Sequence, residues 1–265
     1  MTVLRVHNAC ASPWGEPLLQ NINLVLEEGC ILGVIGPNGA GKTSLLSALA
    51  ADIPLTRGNI QLFNKPLAQW NPIQRARRVA VLPQLSLLNF PYTVEEVIML
   101  GRSPHDTGAR QDQIILAEVM QATDTTFLRD RLYTQLSGGE KQRVQLARVF
   151  AQVWHQPDDQ ARLLLLDEPT AALDLAHQQL LITALKNLAG RGCSIAVVVH
   201  DFNLLASFAD QITALNGGRQ IAYGTPGSVL TESVFADVFG VQVHISAHPE
   251  SGRPLVIAAE ARVPQ

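Results

Sequence analysis

Charge is scarce in this chain, and so are cysteine and aromatic side chains. Only 16% of the 265 residues are charged, and the formal net charge is −3. Nothing here points to a nucleic-acid polyanion as partner, which would call for a basic excess. The three cysteines, Cys10, Cys30 and Cys193, are scattered without paired metal spacing. An odd, sparse set argues against a disulfide framework and for free thiols in a reducing compartment. No apolar run approaches the roughly 18 to 20 residues that cross a bilayer. The longest candidates, 163–166 and 195–199, have the length of buried strands. The first eight residues show no basic leader followed by an apolar stretch, so no signal peptide is expected. A soluble chain is expected, with any membrane role borne by a partner.

What the chain does have is apolar strands alternating with helices. At 47% hydrophobic, it can bury one large core or two small ones. Residues 4–6 and 59–63 read as strands, and 22–26 alternates apolar with polar as a half-exposed strand does. Residues 30–35, 79–82, 163–166 and 195–199 are continuous apolar runs, the pattern of strands buried on both faces. Helical patterns cover 43–51, much of 94–151, then 175–188 and 202–209, while 241–245 and 255–258 carry weak strand signals. Alternating β and α with apolar strands predicts an α/β fold with a mainly parallel sheet, into which the helical middle is inserted.

The chemistry sits at the ends of the apolar strands. Gly36, Pro37, Asn38, Gly39, Ala40, Gly41, Lys42 and Thr43 match G-x-x-x-x-G-K-[ST], with a strand before and a helix after. Glycines let successive N–H groups turn toward phosphate oxygens, and the helix N-terminus adds partial positive charge. Lys42 then reaches the β- and γ-phosphates, and the Thr43 hydroxyl ligates Mg²⁺. The 163–166 strand ends in Asp167, Glu168 and Pro169. Asp167 suits the Mg²⁺ shell and Glu168 a base for the attacking water, although a helix starting at Pro169 would also favour acids there. Gln84 follows the 79–82 strand, and His200 follows the 195–199 strand. In a parallel sheet, such carboxyl ends share the rim where ligands bind.

Ser137 and Glu140 have the spacing of a capping box, which explains both residues but not Gly138 and Gly139 between them. Their N–H groups make a second anion cradle in a chain with one P-loop. Two cradles and one nucleotide site suggest that one cradle completes the site of another subunit.

The run Leu-Ser-Gly-Gly-Glu-Lys-Gln-Arg at 136–143 resembles the signature sequence of ABC (ATP-binding cassette) ATPases, and the other elements stand in that family's order. The resemblance spans residues 2–240, leaving 241–265 as a C-terminal tail. It implies a P-loop NTPase with a RecA-like core, an N-terminal antiparallel β subdomain and a helical subdomain at about 85–155. It further implies a head-to-tail homodimer in which two ATP molecules lie between the P-loop of one copy and Ser137, Gly138 and Gly139 of the other. Gln84 would link the γ-phosphate and Mg²⁺ to the transmembrane partner, Asp174 would cross the dimer interface, and His200 would sense the γ-phosphate. The segment 85–103 would receive the coupling helix of a permease. The family stacks adenine on an aromatic near the end of the first strand; Trp14 is the candidate here, with a plain surface or core tryptophan as the other reading.

Residues 90–105 resemble the importer branch that handles haem, ferric siderophores and cobalamin. Residues 145–154, 172–179 and 244–251 are most similar to its haemin-import members. The implied function is ATP hydrolysis coupled to haemin import, with two permease subunits and a periplasmic binding protein reached through the complex. The implied location is the cytoplasmic face of a bacterial inner membrane, peripherally through the permease. His244 and His248 read as solvated tail residues rather than haem ligands. Arg75, Arg77 and Arg78 read as a solvated helix face or an interface. Ferric siderophore or cobalamin import is the near alternative. ABC ATPases of DNA repair or translation fit less well: only about a hundred residues separate P-loop and signature, too few for a long coiled coil, and there is one cassette. A regulator that binds nucleotide without hydrolysis would not need Glu168.

Overall fold

The continuous apolar runs become strands buried on both faces. In the computed structural model, which describes residues 1–84, 88–155 and 160–259, the chain opens with β1 (Thr2–Ala11), β2 (Leu19–Glu27), β3 (Ile31–Ile35) and α1 (Lys42–Leu49). There follow β4 (Arg57–Leu62), β5 (Lys65–Pro66), α2 (Pro72–Ala76) and β6 (Val79–Leu82). The helical middle is α3 (Val94–Met99), α4 (Ala109–Ala122) and α5 (Gly138–Val153). Next come β7 (Arg162–Asp167), α6 (Leu175–Gly190), β8 (Cys193–Val198) and α7 (Phe202–Ala206). The chain continues as β9 (Gln211–Asn216), β10 (Arg219–Gly224), α8 (Pro226–Val229), α9 (Glu232–Phe239), β11 (Val243–Ala247) and β12 (Pro254–Ala258).

These elements form two compact units. The first takes Met1–Arg5, Val25–Cys30 and Gln61–Val197. In it β7 lies between β6 and β8, and β6 runs parallel to β7 with Val79 opposite Leu163 and Leu82 opposite Leu166. Every residue of β7 and β8 is buried, as their unbroken apolar sequence requires. Arg162 opens β7 and donates to the carbonyls of Val153 and Trp154, so a buried guanidinium satisfies the C-terminal end of α5. Arg102 is buried beside Asp112, with which it shares a 2.9 Å ion pair, and also donates to the Ala151 carbonyl. Burial pushes the Asp112 carboxyl up, but the hydrogen bonds from Arg102 and Thr107 outweigh it, and the net shift is downward.

Of the three arginines at 75–78, Arg78 differs from the solvated-face reading. Helix α2 ends at Ala76, and Arg78 beyond it lays its guanidinium 3.6 Å over the Phe63 ring while donating to the Ala161 carbonyl. Arg77 is exposed, as the solvated reading expects, and donates to the Pro104 carbonyl. A planar cation stacks on an aromatic face and still has donors left for a carbonyl, so the Arg78 side chain binds parts of the fold together.

The second unit takes Val6–Leu24, Ile31–Ile60 and the chain from Val198 onward. Within it β10 lies between β2 and β9, and β9 between β10 and β3. Strand β3 runs parallel to β9, with Leu32 opposite Gln211 and Ile35 opposite Ala214. Phe202 of α7 meets Phe235 and Phe239 of α9 edge-on at 4.8 and 5.0 Å. The tail from 241 folds as the antiparallel hairpin β11–β12. The Asn203 side chain exchanges two hydrogen bonds with the Val256 backbone, and Arg253 donates to the carbonyls of Ala206 and Ala209. His244 stands on this hairpin, 76% exposed.

Candidate nucleotide site

In the second unit β3 ends at Ile35, and the turn to α1 begins at Gly36. A Cβ on Gly36 would stand 2.3 Å from the Leu215 carbonyl oxygen, and Gly41 has φ +98 with the Leu18 carbonyl 3.0 Å from where its Cβ would be. The chain therefore passes through space no side chain could occupy, which is what a backbone cradle needs. Helix α1 starts on Gly41 with no side-chain cap and no acidic residue in its first turn, leaving its positive end open to an anion. Lys42 is buried, and its Nζ donates to the carbonyls of Gly36 and Pro37, each at 2.9 Å. The ammonium is thus folded back over the loop. Thr43 is exposed beside it, as are Asn38 and Gly39.

Trp14 lies in the turn between β1 and β2 and is 79% exposed. That turn leads to Leu18, whose carbonyl abuts Gly41 and Gly218. The indole therefore belongs to the same unit as the P-loop. His200 is exposed just past β8. The next residue, Asp201, caps α7 by accepting from the Leu204 N–H at 2.9 Å.

The first unit holds the acids and the signature. Because Leu82 pairs with Leu166, the exits of β6 and β7 are neighbours, and Gln84 and Asp167–Glu168 leave the same edge. Gln84 is exposed, and residues 85–87 of the expected coupling segment lie outside the described residues. Asp167 is buried at the last position of β7, while Glu168 is partly exposed and turns the backbone left-handed with φ +51. Asp174 caps α6, accepting from the His177 N–H at 2.9 Å. His177 also holds the Asp174 carboxyl below its ordinary range, through its backbone N–H first and its ring second.

Helix α5 begins on the capping box the sequence predicts. Ser137 Oγ accepts from the Glu140 N–H at 3.4 Å, and Glu140 accepts from the Ser137 N–H at 2.8 Å. The glycines between them differ. A Cβ on Gly139 would meet the Ala172 carbonyl oxygen at 2.9 Å, whereas one on Gly138 would meet no described atom within 4 Å. The chain's own packing accounts for Gly139 but not for Gly138.

Four residues of this region, Gln142, Arg143, Asp124 and His177, are not among the site candidates of the sequence reading. Gln142 donates to the Pro169 carbonyl at 3.1 Å, and Arg143 pairs with Asp124 at 2.7 Å, which in turn faces His177. Asp124 and His177 are 53 positions apart, and no spacing rule connects them.

A P-loop, an acid-terminated parallel strand and a glycine-bearing capped helix together define an α/β P-loop ATPase. The sequence profile of ABC transporters matches residues 19–171, and the chain belongs to the ABC transporter family. It is 46% identical over 256 residues to the hemin import ATP-binding protein HmuV of Pseudomonas fluorescens strain Pf-5, covering 97% of this chain and 100% of that one. It is 47% identical over 245 residues to the protein of the same name from Gloeobacter violaceus, covering 92% and 89%. A chain of a metal-chelate type ABC transporter, solved in an inward-facing conformation, superposes with TM-score 0.80 at 26% identity, covering 98% and 99%. An ATP-binding cassette of an ABC transporter in its ADP conformation gives 0.77 at 18% identity, covering 90% and 98%, and shares the fold. Membership of this family carries ATP binding with it. No helix among the described residues is long and apolar enough to cross a membrane.

Proposed function

We propose that this chain is the ATP-hydrolysing subunit of a haemin importer, acting as a homodimer on two transmembrane permease subunits. The ATPase reading rests above all on the shared exit of β6 and β7, which delivers Gln84 and the Asp167–Glu168 pair to one edge in a chain that also carries a P-loop. Haemin is supported by relatives, 41–48% identical over most of their length, that are named hemin import ATP-binding proteins. By this reading the chain is peripheral at the cytoplasmic face of a bacterial inner membrane. A periplasmic binding protein delivers cargo from the far side.

Each role follows from the chemistry of its group. The N–H groups of 36–43 and the Lys42 ammonium bind the phosphates. Thr43 and Asp167 would hold Mg²⁺, which supplies neutralisation of the phosphate charge. One hydroxyl and one carboxylate suit that ion, which keeps waters and takes phosphate oxygens. Among the described residues no three His, Cys, Asp or Glu side chains gather into a cage of their own. Glu168 accepts the proton of water as its oxygen attacks the γ-phosphorus. The bond to the bridging oxygen breaks, and ADP leaves with that electron pair. Gln84 and His200 orient water and γ-phosphate. The Ser137–Gly139 segment faces the nucleotide of the other copy, with the N–H groups of Gly138 and Gly139 on offer to it, Asp174 crosses between copies, and Trp14 stacks on adenine.

Glu168→Gln tests the core of this reading. The variant should bind ATP, elute as an ATP-held dimer on gel filtration and lose about 10²-fold or more of its turnover. Wild-type turnover would overturn the base assignment. Uptake by vesicles carrying the cognate permease, compared for haem, ferric siderophore and cobalamin, tests the cargo. The metal-chelate neighbour keeps the second and third cargoes in that comparison.

A further inference from the structure

The loop between β7 and α6 is fastened to the signature helix α5 of its own chain at three points. Gln142, on the first turns of α5, donates Nε2 to the Pro169 carbonyl at 3.1 Å. The Ala172 carbonyl oxygen packs where Gly139 has no side chain, 2.9 Å from the position a Cβ would take. The third fastening is a run of four side chains. His177 places Nδ1 2.7 Å from Asp174 Oδ1 and Nε2 3.5 Å from Asp124 Oδ2. Asp124 accepts from Arg143 of α5 at 2.7 Å, and that guanidinium is only 9% exposed.

The run Asp174–His177–Asp124–Arg143 links the crossing loop to the signature helix, side chain to side chain. Its exposed end, where Asp174 is 68% exposed, contributes little by Coulomb energy alone. What it fixes is geometry.

We propose that His177 and Gln142 are positioning residues that lock the 168–174 loop to the signature helix and thereby couple the two ATP sites of the dimer. The inference rests on the reading above, in which a chain's Glu168 serves one nucleotide and its Ser137–Gly139 segment the other. A loop and a helix that move as one body make closure at one site favour closure at the second, which is positive coupling. Without the fastenings each half answers to its own nucleotide.

The test measures hydrolysis by the full-length chain against ATP concentration for wild type, His177→Ala and Gln142→Ala. Binding of a fluorescent ATP analogue at protein concentrations too low for dimers is measured in parallel. The wild type should show a Hill coefficient approaching about 2, the number of sites, and both variants should fall toward about 1. Analogue affinity should stay within about twofold, because neither residue belongs to the P-loop that binds the nucleotide in the monomer. Damage to the fold would lower that affinity as well. Variants that keep the wild-type Hill coefficient overturn the inference, and so does a non-cooperative wild type whose Glu168→Gln form still dimerises on ATP. Failure of Glu168→Gln to dimerise would instead remove the dimer reading and this inference with it.

Discussion

Gly138 and Gly139 are neighbours on one helix turn, yet an alanine at each should do opposite things. At 139 the new Cβ would press on the Ala172 carbonyl oxygen at 2.9 Å, a backbone atom that can give way only if the whole 168–174 loop shifts. Overpacking of this kind costs about 1–3 kcal/mol. For a chain of this size that is about 2–4 °C of melting temperature per kcal/mol, so Gly139→Ala should melt several degrees low. At 138 the Cβ would meet no described atom within 4 Å, and the residue is the first of α5. Alanine is better than glycine inside a helix by about 0.5–1 kcal/mol, so Gly138→Ala should melt unchanged or slightly high. If Gly138 faces the nucleotide of the other copy, the methyl keeps a phosphate from its N–H donor, and loss of one such donor costs about 10²–10³ in rate. Calorimetric melting and ATP turnover measured on both variants separate the two effects. A Gly138→Ala protein with wild-type turnover would refute the assignment of that glycine to a nucleotide, and one that melts several degrees low would refute the packing argument.

Glu95 and Arg129 form a two-pronged surface ion pair, with Nε–Oε2 at 2.7 Å and Nη2–Oε1 at 2.8 Å, and the hydrogen bonds from Arg129 and Gln113 lower the Glu95 carboxyl from 4.5 to about 2. A depressed carboxyl contributes stability that is present above its ordinary value and lost as pH falls toward the folded one. Urea unfolding at pH 6 should therefore find Glu95→Gln about 0.5–1 kcal/mol less stable than wild type, with the gap closing by pH 2; equal midpoints at pH 6 would count against the pair. Burial pushes the Cys193 thiol up to about 12. In a Cys10→Ser, Cys30→Ser background it should stay silent to a thiol-disulfide reagent at pH 8 until denaturant is added, and prompt native-state labelling would contradict its burial. Arg102→Ala strips the buried guanidinium from Asp112, Thr107 and the Ala151 carbonyl. It should cost about 3–5 kcal/mol in the denaturation midpoint of the helical middle, and a loss under about 1 kcal/mol would mean the network carries little.

The strands that carry the site were legible because burial on both faces writes an unbroken apolar run. Residues 30–35, 79–82, 163–166 and 195–199 correspond to β3, β6, β7 and β8 within a residue or two. The edge of that legibility is equally physical. Strand β9, Gln-Ile-Thr-Ala-Leu-Asn, hides a fully buried Thr213 whose hydroxyl is satisfied by Gln220 and Ala222, so polar residues interrupt a run that is nonetheless core. Strand β1 extends over Thr2–Ala11 although only 4–6 stood out, because Arg5 and His7 point to solvent between buried neighbours. Arg78 looked solvated because its partners are the Phe63 ring and the Ala161 carbonyl, the latter 83 positions away. The same limit hid the Asp124–His177 contact. Motif residues announce themselves by spacing, whereas the residues that hold them still are found only where the chain has folded.

The conformation of the 168–174 loop itself argues for those holding residues. Glu168 and Ala172 both have positive φ, +51 and +63, in a stretch with no glycine or asparagine to ease it. A left-handed non-glycine residue costs about 1–2 kcal/mol, so a loop with two of them does not keep this shape unaided. The turns closed by Ala171 onto Glu168 and by Leu173 onto Thr170 account for part of the opposing stabilisation. Buried Leu173, the Gln142 bond to Pro169 and the His177 clasp on Asp174 account for more, and all lie within the strained segment or directly against it. Strain and fastening thus explain each other. With φ +51 the Glu168 side chain leaves β7 in a direction that extended backbone would not give it, and Gln142 of α5 holds the carbonyl of the next residue, Pro169. It follows that replacing Glu168 by glycine, which removes both the strain and the carboxylate, should raise the melting temperature while abolishing turnover, and a melting temperature that falls would show that the loop is not strained at this residue.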